Sequence, residues 1–323
     1  MEPVACDNPR SQLRAGPAGR LVLLAALAGA AWTQVPYFEA PVLGYALDPV
    51  AGSIRPISGV PGAARFEAPM RSEVEHRRAA LAPDRDYALA VEEDGVRVLT
   101  WRGGAVASRP LDGRSTRFDR VVFSPTGLSA AIVAGDAVEV WTGLPGAPAL
   151  ARFLEHAGAG DVLAVSDDGR AVAWASGGTV FQSGPSGAGV VAEGGLISSL
   201  AFARDSHQLA IADQERSQIL LAEPQRAISV MARDLEKPSS VAFSSDGRRI
   251  VAASPATSSV AQIDVASREV STAVCECSVE TLVRTRGNAV FRLRDPAKGR
   301  TPMFDGDGDG PRIVFIAAGE ESQ

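Results

Sequence analysis

Short apolar runs separated by a Ser-x-Asp-Gly turn recur along most of this chain. The clearest copy lies between Ser240 and Asp264. Val241-Ala-Phe243 enters a turn at Ser244-Ser-Asp-Gly247, Ile250-Val-Ala-Ala253 leaves it, and Val260-Ala-Gln-Ile-Asp264 follows. Runs this short, rich in Val, Ile, Phe and Ala and bounded by Gly, Ser, Asp and Pro, predict β-strands. The first run of each unit is apolar on both faces, as in Val121-Val-Phe123 and Val162-Leu-Ala-Val165. Such a strand must be covered on both sides. In the turn, Ser and Asp side chains bond to nearby amides, and Gly takes the positive φ that closes a tight connection. After residue 31 no stretch shows a capped 3.6-residue apolar stripe. Arg71 to Leu81 comes nearest, and a strand there fits the repeat better.

The turn glycine sets a register. It, or the residue in its place, falls at Arg85, Gly127, Gly169, Ser206, Gly247 and Gly287, with successive spacings of 42, 42, 37, 41 and 40. A period near 40 residues with four short strands per unit is the pattern of a β-propeller blade. Residues 36–318 hold about seven such units. The expected fold is therefore all-β: a β-propeller over residues 36–318, with seven blades, or six as the runner-up. The ring is closed by the N- and C-terminal strands, the seventh blade being assembled from residues 42–47 and 53–57 together with 312–317. Closure removes the open edges a linear stack would expose. Where Gly is lost, at Arg85 and Ser206, the turn is expected to differ or to carry strain.

The stretch Val241-Ala-Phe-Ser-Ser-Asp-Gly-Arg-Arg-Ile-Val-Ala-Ala253 resembles the repeat of bacterial WD40-like propellers, including the YVTN type and those of the Tol system. Val121-Val-Phe-Ser-Pro-Thr-Gly127 with Val138-Glu-Val-Trp141 is a second match. The resemblance covers roughly residues 75–295 and rests on turn and core residues. No Gly-His pair precedes the blades and Trp141 is not followed by Asp, so the hydrogen-bond network of true WD repeats does not carry over. The resemblance implies a binding platform, and it also permits a hydrolase of the lactonase kind.

The N-terminus reads as an address. Arg10, Arg14 and Arg20 precede an apolar run over residues 21–31, and Ala28-Gly29-Ala30 fits a small-x-small cleavage site. This describes a secretory signal peptide at residues 1–31. The run is shorter than the roughly 20 residues that span a bilayer, so no transmembrane span is expected after cleavage. Residues 319–323 form a C-terminal tail. The expected location is outside the cytoplasm, periplasmic or extracellular.

Composition narrows the function further. The chain has 323 residues, of which 46% are apolar, enough for a sizeable core. With 32 Lys+Arg against 38 Asp+Glu it is mildly acidic, which argues against nucleic acid as a partner. The leading expectation is an exported, non-catalytic binding or scaffold module for a protein or small-molecule partner.

Candidate chemistry is sparse. Phe304-Asp-Gly-Asp-Gly-Asp-Gly310 places Asp305, Asp307 and Asp309 two apart before Gly310, as at the start of a calcium loop. Positions nine and twelve are Ile313 and Ile316, so the bidentate acid is absent. The other reading is a Gly-loosened hairpin. Calcium is the one cofactor the chain suggests. Cys275 and Cys277 remain after signal cleavage. Residues two apart on a strand lie about 6.6 Å apart, the upper limit for a bridge. A disulfide therefore needs a bend, and free thiols are the alternative. Two Cys without a nearby His make a poor zinc site. His76, His156 and His207 are too scattered for a metal or triad motif. No nucleophile elbow, phosphate loop or dinucleotide fingerprint occurs, and the Gly-rich run from Gly184 to Gly195 reads as a connection. Trp101, Trp141 and Trp174 fall at blade strands and read as packing.

Overall fold

The computed structural model of the chain describes residues 40–48, 51–72, 78–102, 104–154, 162–184, 187–294 and 300–317. The expected signal peptide at residues 1–31, the tail at 319–323, His76 and His156 lie outside these. By its contacts the chain divides into Met1–Glu39 and Ala40–Gln323, and the strands of the described residues belong to the second unit.

The short apolar runs form antiparallel sheets in chain order. Among the described residues blade 1 shows three strands, β1 (Val42–Asp48), β2 (Ser53–Ser58) and β3 (Arg65–Phe66). The other six have four strands each. Blade 2 is β4 (Ala79–Leu81), β5 (Tyr87–Glu92), β6 (Gly95–Arg102) and β7 (Ala105–Pro110). Blade 3 is β8 (Arg120–Phe123), β9 (Ala130–Ala134), β10 (Ala137–Thr142) and β11 (Ala149–Leu154). Blade 4 is β12 (Leu163–Val165), β13 (Val172–Ser176), β14 (Thr179–Gly184) and β15 (Gly187–Glu193). Blade 5 is β16 (Ile197–Phe202), β17 (Leu209–Asp213), β18 (Gln218–Ala222) and β19 (Ser229–Ala232). Blade 6 is β20 (Ser240–Phe243), β21 (Arg249–Ser254), β22 (Ser259–Asp264) and β23 (Val270–Val274). Blade 7 is β24 (Val283–Arg284), β25 (Val290–Arg292), β26 (Thr301–Asp305) and β27 (Arg312–Ile316).

Packing closes the sheets into a ring. The buried apolar residues fall into seven clusters, and each joins one blade to the next. The cluster holding Leu43, Ala46, Ile57, Val290, Met303 and Ile316 joins the last blade to the first. Seven interfaces for seven sheets leave no open end, so the six-bladed arrangement is excluded. The two-faced apolar strands are explained by the same geometry. Ala88 and Ala90 of β5 pack toward blade 1, while Tyr87 and Leu89 pack toward blade 3. Successive side chains point to opposite faces of a sheet, and both faces here are covered by neighbours.

The ring meets at the chain ends, but the strands are shared differently from the expectation. β27 pairs with β26 inside blade 7. The carboxy end reaches blade 1 through one parallel bridge, Ala317 to Arg65, with the Ala317 amide donating to the Ala64 carbonyl at 3.1 Å. β3 is the outer strand of blade 1, and Ala317 pairs with its free edge at Arg65.

The turns between first and second strands lock neighbouring blades. In blade 6 the Ser244 hydroxyl donates to Asp246 at 2.6 Å, and the Arg249 amide donates to Ser244 Oγ at 2.9 Å. Partial burial pushes the Asp246 carboxyl up, but bonds from Ser244, the Arg248 amide and Asn288 together hold it below the ordinary carboxylate range. Asn288 of blade 7 accepts from the Asp246 amide at 2.9 Å. Likewise, Thr126 of blade 3 donates to Asp167 of blade 4, and the Tyr87 hydroxyl donates to the Gly127 carbonyl at 2.6 Å. Gly127, Gly169 and Gly247 carry the positive φ. In the two turns without Gly, the positive φ moves one residue earlier, to Asp84 and Asp205. Asp is among the few non-Gly residues that tolerate it.

Candidate functional site

The inner strands of all seven blades wall a central cavity of about 480 Å³. Its lining is largely aliphatic, with Val121, Val122, Ala164, Ala201, Ala242 and Val283 among the wall residues. The charged lining residues are Asp84, Arg85, Arg284 and Arg286. Three cations and one carboxylate therefore line the channel of a chain whose formal net charge is −6.

Three turns bring these charges together. Arg204 in the blade 5 turn pairs with Asp84 in the blade 2 turn, Nη2 to Oδ2 at 2.8 Å. Blades 2 and 5 share no interface cluster, so this ion pair crosses the channel rather than joining neighbours. Arg286 of blade 7 pairs with Asp86, which also accepts from the Tyr45 hydroxyl of blade 1 at 2.6 Å. Burial, then the Asp86 hydrogen bond, pushes the Tyr45 hydroxyl up to about 12. Arg85 donates Nε to the Thr126 carbonyl of blade 3. The four residues Pro83-Asp-Arg-Asp86 thus connect with blades 1, 3, 5 and 7.

Arg284 is placed differently. Its guanidinium donates to the Phe243 carbonyl and to Ser245 Oγ, the latter at 3.1 Å. Its Cζ lies 4.9 Å from the centroid of the Phe291 ring. Among the described residues no carboxylate lies within ion-pairing distance of it. Burial, with the Arg204 charge adding to it, lowers its pKa from the ordinary arginine value to about 10. The carboxylates of Asp84, Asp167 and Asp307 act against that lowering without touching the guanidinium, and it remains charged at neutral pH.

The residues singled out in the sequence lie elsewhere. Asp305, 3% exposed, pairs with Arg312 at 2.7 Å. Asp307 accepts from the amides of Asn288 and Ala289 at 2.9 and 2.7 Å, tying the end of β26 to the start of β25. Asp309 is exposed. Among the described residues no group of three His, Cys, Asp or Glu side chains is placed to hold a metal ion. Cys275 and Cys277 are joined in a disulfide, with Cα atoms 5.0 Å apart. A bend at Glu276 shortens the extended separation, and Cys275 sits in the blade 6–7 cluster. His207 lies 3.2 Å from both oxygens of Asp168, outside the channel lining. Trp101 and Trp141 are buried between blades, and Trp174 stacks on Phe181 with centroids 5.6 Å apart. On the rim, a groove of about 370 Å³ between β15 and the loop after β18 exposes Val190 and Ile228.

Sequence reading passed over Asp84, Asp86, Arg204, Arg284 and Arg286. A signal was present. The two units that lose the turn glycine, at Arg85 and Ser206, are the two whose turns meet across the channel.

No family model and no curated protein matches this sequence. Solved structures do resemble its fold. A functionally unknown protein from Desulfotomaculum acetoxidans is 13% identical, with 86% of this chain and all of that one covered, at a TM-score of 0.58. Hsv2p of Kluyveromyces lactis is 11% identical over 85% of this chain and 97% of that one, at 0.53. A streptogramin B lyase is 9% identical over 88% of this chain and 85% of that one, at 0.50. Identities this low speak for the propeller fold alone. Among the described residues no helix is long and apolar enough to cross a membrane.

Proposed function

We propose that this chain is an exported, non-catalytic propeller of the WD40-like kind, acting as a binding or scaffold module outside the cytoplasm. Its recognition site is the central channel with its charged mouth. The observation that carries this reading is the pairing of the mouth carboxylates. Asp84 is held by Arg204, and Asp86 by Arg286 and Tyr45. A general acid or base must reach the proton it transfers, whereas both mouth carboxylates are already engaged by arginine or tyrosine side chains. The one described histidine, His207, is on Asp168 beyond the channel wall. A hydrolase of the lactonase kind would instead want free acidic and His side chains converging at one mouth.

Export and the lack of catalysis are each open to test. Cells expressing the whole chain should release it to the periplasm or medium shortened by its first 31 residues, and removal of those residues should retain it inside. Full-length protein kept in the cytoplasm would sink the export reading. Purified protein should hydrolyse simple lactones and aryl esters no faster than buffer. Turnover that Asp84→Asn abolishes would make it an enzyme.

A further inference from the structure

Of the four arginines gathered at the channel, Arg204 and Arg286 have carboxylate partners, while among the described residues Arg85 and Arg284 bond only to neutral groups. Arg204 is neutralised by Asp84 and Arg286 by Asp86. Arg284 has the carbonyls of Phe243 and Asn288, the Ser245 hydroxyl and the face of Phe291, with no carboxylate in direct contact. It lines a cavity whose walls are aliphatic along Val121, Val122, Ala164, Ala201 and Ala242 and polar around Asp84, Arg85 and Arg286. Charges removed from water are normally paired, and attraction between opposite charges strengthens as the surroundings become less polar. The cavity, at about 480 Å³, lies within the range of about 300–1,000 Å³ that small-molecule pockets span.

We propose that the channel binds a small carboxylic acid with an apolar chain or ring, its carboxylate against the Arg284 guanidinium and its body along β8, β12, β16 and β20. The proposal rests on the binding reading above and names the ligand class of that site. A carboxylate suits the planar fork of arginine, which can donate two parallel hydrogen bonds. The aliphatic wall supplies the rest of the affinity by removing the ligand's apolar surface from water. Asp84, the one lining carboxylate, makes its direct contact with Arg204 rather than with Arg284. Arg85, whose Nε donates to the Thr126 carbonyl, adds to the positive field in the same cavity.

Isothermal calorimetry with octanoate tests this on the full chain. Octanoate should bind saturably at one site per chain, and acetate, 1-octanol and octylammonium should each bind more weakly by at least about tenfold, the scale of one charge-assisted contact. Arg284→Gln should weaken octanoate by about tenfold or more. Ala242→Phe, which fills the channel without touching a charge, should abolish binding and remains informative if the arginine variant does not fold. No saturable heat at millimolar octanoate would overturn the proposal. So would octylammonium binding as tightly, or octanoate binding unchanged in a folded variant. Failure here leaves the non-catalytic reading standing, since that reading falls only on lactone or ester turnover.

Discussion

Replacing Phe291 by alanine is expected to destabilise the protein by about 3–5 kcal/mol, the usual range for removing a buried phenylalanine. Phe291 has no exposed surface and belongs to the cluster that joins blades 6 and 7, with Val251, Val260, Leu293 and Phe304. Its backbone is held in β25 by pairing with Phe304 and Arg284, so the surroundings cannot collapse far into the space left behind. Urea unfolding should show a lower midpoint with an unchanged slope. The same ring lies under the Arg284 guanidinium, so octanoate affinity should fall in whatever fraction remains folded. A loss below about 1 kcal/mol, the range of surface changes, would mean that blades 6 and 7 are not packed as described.

Gly59→Ala is the second large effect, expected at about 3 kcal/mol, the upper end of the cost of a strained backbone position. Gly59 leaves β2 at φ +107, where L side chains rarely sit, and an added Cβ would clash with the Ala63 carbonyl oxygen. That oxygen is backbone in a tight loop and cannot swing aside as a side chain would. The loop also carries Ala64, whose carbonyl accepts from Ala317 where the ring meets. Thermal melting should therefore fall by several degrees more in Gly59→Ala than in Gly146→Ala, where the added Cβ meets open space. Equal melting of the two variants would deny that this loop closes the ring.

How much of this was legible in the sequence depends on what each residue does. Blade number and strand order could be read because the repeat is made by packing and turn residues, such as Phe243, Ser244 and Gly247, whose spacing is periodic. The division of strands at closure could not. Residues 312–316 pair with β26 of blade 7 and only Ala317 reaches β3 of blade 1, a choice between two sheet edges that no local pattern encodes. The channel site was harder still. Asp84, Arg204 and Arg284 lie on three different blades, 120 and 80 residues apart in sequence, and only ring geometry makes Asp84 and Arg204 partners. No local motif announces them. The Asp305-Gly-Asp-Gly-Asp309 run is the opposite case, conspicuous as a motif while its partners are not. It looks like chemistry in one dimension, yet Asp305 faces Arg312 and Asp307 faces the amides of Asn288 and Ala289. The lost turn glycines were the usable clue, because a repeat that breaks its own rule at two opposite blades does so where the units stop being equivalent.

Binding of an apolar carboxylate in the channel is tested most directly by diffraction from crystals soaked with 8-bromooctanoate, collected at the bromine absorption edge. One anomalous peak is expected inside the channel between β8, β12 and β20, with the carboxylate against Arg284. Bromine only in the rim groove beside Val190 and Ile228, or no ordered bromine at a concentration that saturates the protein in solution, would contradict it.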